Sequence, residues 1–223
     1  MQKFLNWLEK VLTPLAKVIG ENKYLIAIRD GFLISTPLLI VGSFFLLLAN
    51  FPIPNWSDMI SPILGKNWES LMSVPASASF DVMTILAVVG IAYSLGRQLD
   101  IDAIQSGALA LVSFFILTPF TTQFTPENST QVFDVTSLPL KWMGSSGLFL
   151  GMIIALVSTR IFAAVIHRGW TIKMPEGVPP TVVKSFEALI PSFVVITIMF
   201  VINWLVSLTP MGNLQDVIFK FLQ

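Results

Sequence analysis

The 223-residue chain is strongly apolar and electrically balanced: 54% of its residues are hydrophobic, 12% are charged, and 13 basic side chains face 13 acidic ones. Soluble domains carry about 25% charged residues, so this composition excludes an ordinary water-exposed domain, and its apolar content excludes disorder. Zero net charge argues against nucleic acid as a partner. The chain has no Cys and one His, which excludes a disulfide framework, thiol catalysis and a Cys- or His-rich metal site.

The N-terminal region shows a helical period without a continuous apolar core. Polar residues separate apolar ones at steps of three and four, and the apolar positions are Phe4, Leu8, Val11, Leu15 and Val18. This period predicts a helix that lies in the membrane interface. A second short helix is expected to begin at Thr13–Pro14. A secretion signal needs an uninterrupted apolar core, so we interpret residues 1–31 as a cytoplasmic amphipathic region.

Five later stretches are long and apolar enough to cross a bilayer, which takes about 20 helical residues. They are Phe32–Ala49, Phe80–Gly96, Ala103–Phe120, Ser146–Ile166 and Phe186–Leu208. The sequence therefore predicts an all-α polytopic protein with about five transmembrane helices and amphipathic interfacial helices. Residues 32–208 form the predicted membrane domain, and residues 209–223 form an amphipathic end expected at the outer interface.

The distribution of basic residues predicts the orientation of these spans. Ten Lys and Arg residues fall on the side of the N-terminus, and three (Lys66, Lys141 and Lys220) fall on the other. Basic residues accumulate on the cytoplasmic side of membrane proteins. We therefore expect a multi-pass membrane protein with a cytoplasmic N-terminus.

Ionisable residues are scarce inside the predicted spans. Asp81 lies near the outer end of the second span, Arg160 lies near the inner end of the fourth, and His167 follows it. Asp81 and Arg160 are interpreted as interfacial anchors or as members of an internal pair, and Arg160 is close enough to the helix end to reach the headgroups. His167 is interpreted as an exposed loop residue. The absence of a mid-span carboxylate argues against an ion-coupled transporter and against an intramembrane hydrolase. No catalytic residue, metal site or cofactor is predicted.

Two glycines in the fourth span are spaced for close helix packing. Gly147 and Gly151 form a small-xxx-small step, which lets two helix backbones approach. The spacing is compatible with contact between subunits and equally with packing inside one subunit.

The most unusual segment contains three prolines and a glycine before the fifth span: Pro175, Glu176, Gly177, Val178, Pro179 and Pro180. Proline fixes φ and glycine permits a turn, so a stiff non-helical segment is expected, with Pro179 or Pro180 opening the next helix. It is either a rigid connector or a docking or gating element for a cytoplasmic partner.

Three passages carry a resemblance to a known family: Ile28-Arg29-Asp30-Gly31-Phe32 with Pro37–Ser43; Ile91-Ala92-Tyr93-Ser94-Leu95-Gly96 with Ser113-Phe114 and Leu117-Thr118-Pro119; and Met174–Pro180 with Ser185-Phe186 and Leu189-Ile190-Pro191. Through them the chain resembles the N-terminal half of the IIC permease subunit of the phosphoenolpyruvate-dependent sugar phosphotransferase system. The most similar branch is that of the cellobiose, diacetylchitobiose and lactose permeases.

The resemblance implies uptake of a β-linked disaccharide, which a cytoplasmic IIB subunit phosphorylates with phosphate delivered through IIA. Phosphoryl transfer would therefore occur on IIB. The resemblance also implies a homodimer formed through the N-terminal helices. It places the sugar site, with its His and Glu, in re-entrant hairpins of the second half, so that no sugar-binding residue is expected here.

We therefore expect the scaffold and dimerisation half of such a permease, with alternating access of the second half against it and Glu176 and its loop coupling to the partner or gate. The chain begins with Met1, so the expected missing part is the C-terminal one. Two alternatives stay open: a truncated, non-transporting paralogue that acts as a structural membrane partner, and a small transporter that works as an oligomer.

Overall fold

The computed structural model describes residues 20–126, 131–175, 177–210 and 212–222, which form ten α-helices, one 3-10 turn and one β-hairpin. In chain order the elements are α1 (Lys23–Ala49), α2 (Trp56–Leu64), α3 (Trp68–Phe80), α4 (Met83–Gln98), α5 (Ala103–Ile116), β1 (Thr121–Phe124), β2 (Phe133–Thr136), α6 (Leu140–Met143), the 3-10 turn (Ser145–Gly147), α7 (Leu148–His167), α8 (Pro180–Glu187), α9 (Leu189–Ser207) and α10 (Leu214–Leu222). Residues 1–19, on which the predicted interfacial helix falls, lie outside the described ranges.

Four helical stretches among the described residues are long and apolar enough to cross a membrane: Lys23–Ala49, Trp68–Gln98, Ser145–His167 and Pro180–Ser207. They confirm the predicted all-α polytopic class. The third predicted span differs, because α5 has 14 residues and is only about 21 Å long at 1.5 Å per residue. The second stretch begins earlier than predicted, since α3 precedes α4 and the two are separated by a break at Asp81–Val82.

The first membrane helix begins at Lys23 rather than Phe32. The side chain of Asn22 accepts hydrogen bonds from the backbone N–H groups of Tyr24 and Leu25, which satisfies donors that a helix N-terminus leaves free. The predicted boundary between residues 31 and 32 therefore falls inside α1. As a result Arg29 and Asp30 belong to a membrane helix.

Helix α4 lies at the centre of the bundle and packs against α1, α5 and α7. Its buried side chains include Val88, Ile91 and Leu95, each with no exposed surface. Helix α1 approaches α4 closely where Gly31 meets Gly90, because a Cβ atom added to Gly90 would lie 2.8 Å from the carbonyl oxygen of Gly31. Two facing glycines thus set the distance between these helices.

Hydrogen bonds at the two ends of α5 show how far that short helix reaches. At its N-terminal end the side-chain amide of Gln105 donates to the backbone oxygen of Lys184 in α8. Just beyond its C-terminal end Thr118 accepts from Gln215 in α10. Since α8 and α10 flank the two ends of α9, α5 and its flanking residues extend from one end of α9 to the other.

The predicted amphipathic C-terminal end is a helix that packs onto the bundle. In α10, Gln215 is 1% exposed, and Leu214 and Ile218 pack against the core. The ring of Phe219 meets Trp142 edge-on at 5.9 Å. At least one face of α10 is therefore held by protein rather than by the membrane interface.

The hairpin between α5 and α6 was not predicted. Strands β1 and β2 are antiparallel, with a register from Thr121↔Thr136 to Phe124↔Phe133. Every residue of both strands is exposed. The hairpin lies in the predicted extramembrane loop and leaves the helical class unchanged.

Candidate functional site

The proline-rich segment leads from α7 into α8 along the surface. Gly177 has a left-handed φ of 98°, which an L side chain rarely adopts. Pro179 precedes α8 with φ −55° and ψ 137°, and Pro180 is the first residue of that helix, a position that proline favours. Pro175, Gly177 and Pro179 are exposed and Val178 is partly buried, whereas Glu176 lies outside the described residues.

Two contacts join α8 to Asp102 and Gln105 at the start of α5. The ammonium group of Lys184 lies 3.5 Å from a carboxylate oxygen of Asp102, and the Gln105 amide donates to the Lys184 carbonyl at 3.1 Å. Asp102 itself caps α5, because its other carboxylate oxygen accepts from the backbone N–H of Gln105 at 3.0 Å. The position of α8, and with it the end of the proline-rich segment, is thereby tied to α5.

A cleft of about 420 Å³ lies beside this junction. Its polar lining comes from three carboxylates, a lysine, an amide and a hydroxyl: Asp100, Asp102, Glu187, Lys184, Gln105 and Thr171. The Lys184 and Asp102 side chains are 62% and 24% exposed, and ion pairs with that exposure contribute about 0–1 kcal/mol to stability. The arrangement therefore positions a surface segment rather than holding the fold together.

The two glycines predicted for close helix packing are both buried within the chain. A Cβ atom on Gly151 would lie 2.8 Å from side-chain atoms of Thr84 and Val88 in α4. Gly147 ends the 3-10 turn, and a Cβ atom there would collide with the carbonyl oxygen of Trp142. Both glycines therefore pack against other residues of the same chain, which is the intrasubunit alternative of the two that the sequence left open.

The three isolated ionisable residues are all exposed. Asp81 follows α3 at the break before α4, Arg160 lies within α7, and His167 is the last residue of α7. None of the three forms an ion pair with another described residue, and the described ranges contain no group of three or more His, Cys, Asp or Glu residues that could hold a metal ion.

Comparison with known proteins decides the family. Residues 29–223 match the family model described as "Phosphotransferase system, EIIC". The chain belongs to the EIIC family.

Several EIIC proteins resemble the chain over nearly all of its length. It is 40% identical to the "Lichenan permease IIC component" of Bacillus subtilis, over 98% of the chain and 48% of that protein. It is 38% identical to the "PTS system cellobiose-specific EIIC component" of Geobacillus stearothermophilus, over 98% of the chain and 49% of that protein. The chain spans about half the length of the curated relatives it matches.

A solved structure gives the same result. The transporter ChbC, the IIC component from the N,N'-diacetylchitobiose-specific phosphotransferase system, superimposes with a TM-score of 0.91 at 42% identity, over 97% of this chain and 50% of that one. The resemblance to the cellobiose and diacetylchitobiose branch, predicted from three passages, is confirmed. As an EIIC chain with four helices that could span a bilayer, it is a membrane protein.

The fold brings two of these EIIC passages into contact. Gly31 of the first passage packs against Ile91 of the second, and Ser94 donates to a carboxylate oxygen of Asp30 at 3.4 Å. Asp30 is also paired with Arg29 at 2.8 Å. Sequence reasoning missed this polar contact, because the predicted span began after Asp30.

Proposed function

We propose that this chain acts as the scaffold half of a phosphotransferase sugar permease that takes up a β-linked disaccharide of the cellobiose type. The observation that supports this most strongly is the match to ChbC, which covers 97% of this chain and 50% of that transporter. The names of two relatives, lichenan permease and cellobiose-specific EIIC component, support this substrate class. The second half of the permease would supply the sugar site and move against this half.

The proposed topology has a cytoplasmic N-terminus and five crossings. The excess of basic residues on the N-terminal side supports it, and so do the contacts of α5, whose flanks reach both ends of α9. The proline-rich segment, α8 and the turn between α4 and α5 then share the cytoplasmic end.

The proposed partners are IIB and IIA subunits at this cytoplasmic end and a second copy of the chain in the membrane. Relatives that are named lactose-specific EIICB components match 99–100% of this chain at 26% identity. A IIB part covalently joined to the IIC part in such proteins supports docking of IIB near the IIC cytoplasmic surface. Phosphoryl transfer to the sugar would take place on IIB.

A chimeric permease tests the function. In the cellobiose-specific relative, this chain replaces the N-terminal half, and vesicles with the matching IIA and IIB proteins are assayed for phosphorylation and uptake of labelled cellobiose. We expect uptake by the chimera and none by this chain alone, because the sugar site lies on the second half. Uptake by the chain alone, or none by a chimera present in the membrane at normal abundance, would contradict the proposal.

The proline-rich segment is proposed to couple sugar release to the cytoplasmic partner. In the active chimera, Glu176→Ala and Pro179→Ala are then expected to lower uptake without lowering membrane abundance. The contacts between α8 and α5 allow a second test of coupling, because they hold the C-terminal end of the proline-rich segment in place.

Reversing either charge of the Lys184–Asp102 pair is expected to lower cellobiose uptake by about fivefold, the effect of roughly 1 kcal/mol. Lys184→Asp and Asp102→Lys each place like charges together, and the double exchange restores attraction. Asp102→Lys also removes the Asp102 cap of α5, so uptake by the doubly exchanged chimera should rise above that of Asp102→Lys and stay below the parent value. Uptake is compared at equal membrane abundance. Equal uptake by the Asp102→Lys variant and the double variant would show that the Lys184–Asp102 ion pair has no part in coupling.

A further inference from the structure

A cleft of about 560 Å³ lies between α1 and α4 and shares no lining residue with the cleft beside α8. It will be called the α1–α4 cleft, and its lining is Ile26, Asp30, Ile34, Tyr93, Ser94, Arg97 and Gln98. The three α1 residues are four positions apart and lie on one helix face. Tyr93 and Arg97 are likewise four apart on α4.

The cleft lies where α1 begins and α4 ends. The ammonium group of Lys23, the first residue of α1, donates to the backbone oxygen of Gln98, the last residue of α4, at 3.1 Å. Helix α1 has 27 residues and is about 40 Å long, some 10 Å more than the hydrocarbon core of a bilayer. Its terminal turns therefore reach headgroup depth, and Ile34 lies deeper, at the level of acyl chains.

The charges at the cleft leave one cation without a partner. Asp30 is neutralised by Arg29 at 2.8 Å and accepts from Ser94. The Arg97 side chain is exposed and forms no ion pair with any described residue. Asp100, the nearest carboxylate to Arg97 along the chain, lines the other cleft.

We propose that the α1–α4 cleft binds the phosphate headgroup of an anionic phospholipid. The Arg97 guanidinium is the main ligand, because its planar donors match phosphate oxygens. The Tyr93 hydroxyl adds a donor, and so does the second N–H of the Gln98 amide, whose first donates to Ser94 at 3.4 Å. Ile26 and Ile34 provide an apolar wall for an acyl chain. Basic pockets between membrane helices bind such headgroups, and a tyrosine at the interface suits its amphipathic ring.

The test uses the purified chain in phosphatidylcholine bilayers with and without phosphatidylglycerol. Native mass spectrometry counts retained lipid, and a thermal melt measures the stabilisation that phosphatidylglycerol gives. Arg97→Gln is expected to weaken phosphatidylglycerol retention by about tenfold, the effect of losing one charge-assisted hydrogen bond. Arg97→Lys keeps the charge but loses the planar fork, so its retention should be intermediate.

Arg168→Gln is the matched control, since Arg168 is an exposed arginine that follows α7 at the same end of the bundle. It should retain phosphatidylglycerol as the parent chain does. Equal weakening by both glutamine variants would show diffuse attraction to basic residues and overturn the proposal. Displacement of phosphatidylglycerol by inorganic phosphate or glucose 6-phosphate would overturn it in favour of a soluble phosphate site, and equal retention of both lipids would overturn it outright. None of these outcomes depends on sugar transport.

Discussion

Gly90→Ala is expected to lower the thermal stability of the chain clearly, although the change adds only one methyl group. The new Cβ atom would lie 2.8 Å from the Gly31 carbonyl oxygen and 3.1 Å from the Gly31 Cα atom. Both are backbone atoms, so the contact is relieved only by moving α1 away from α4. Overpacking of this kind costs about 1–3 kcal/mol, which exceeds the gain of up to about 1 kcal/mol from replacing glycine in a helix.

A graded series of glycine substitutions supplies the controls. Gly20 has open space around it, and a Cβ atom on Gly107 would lie 3.2 Å from a Val89 methyl group and 3.3 Å from the Val89 carbonyl oxygen. Both distances are longer than the two that Gly90→Ala creates. Apparent melting temperatures are measured in detergent by tryptophan fluorescence. Gly20→Ala should have the highest value, Gly107→Ala a lower one and Gly90→Ala the lowest. Gly31→Ala would press its Cβ atom against backbone atoms of Ile91 in α4, and moving α1 away from α4 relieves this contact and the Gly90→Ala contact together. The double alanine variant should therefore lose less than the sum of the two single losses. A Gly90→Ala variant as stable as Gly20→Ala would contradict the proposed role of this crossing.

The membrane helices were predictable because their signal is compositional. The bilayer fixes the required length of apolar chain, and Ser146–Ile166 was predicted within two residues of the stretch Ser145–His167 in the structure. The start of α1 was predicted too late, because Arg29 and Asp30 interrupt the hydropathy. The fold tolerates them through their mutual ion pair and the Ser94 contact, which are tertiary features that no window of sequence contains.

The polar junctions were less predictable than the helices. The alternation in Phe133–Thr136 is short, and the hairpin it forms is exposed on both faces, so no buried face marks it in the sequence. The link between Asp102 and Lys184 joins residues far apart in the chain. An Asp directly before an apolar stretch does suggest a helix cap, and Asp102 has that role, but its second contact depends on where α8 lies.

Removing the buried hydrogen bond between Thr118 and Gln215 is the second change from which we expect a large loss of stability. Thr118 is 3% exposed and Gln215 is 1% exposed. The Thr118 hydroxyl donates to the Phe114 carbonyl at 2.8 Å and accepts from the Gln215 amide at 3.0 Å. Thr118→Val therefore leaves two groups without this partner: a carbonyl near the C-terminal end of α5 and a buried amide. An unsatisfied buried polar group costs about 1–3 kcal/mol.

We expect Thr118→Val to lower the melting temperature and to accelerate hydrogen exchange of the α10 amides, since the amide anchors that helix. Thr209→Val is the matched control, because Thr209 makes the same kind of bond to a backbone carbonyl, that of Val206, at an exposed helix end; surface changes of that kind stay within about 0.5 kcal/mol. Adding Gln215→Leu to Thr118→Val removes the stranded amide and should recover part of the lost stability. Two results would contradict this prediction: a double variant no more stable than Thr118→Val, or α10 amides that exchange at the parent rate in both variants. Either result would mean that the apolar contacts of Leu214, Ile218 and Phe219 hold α10 without the hydrogen bond. The protein-facing side of α10 would in that case be set by hydrophobic packing alone, as in an ordinary amphipathic helix.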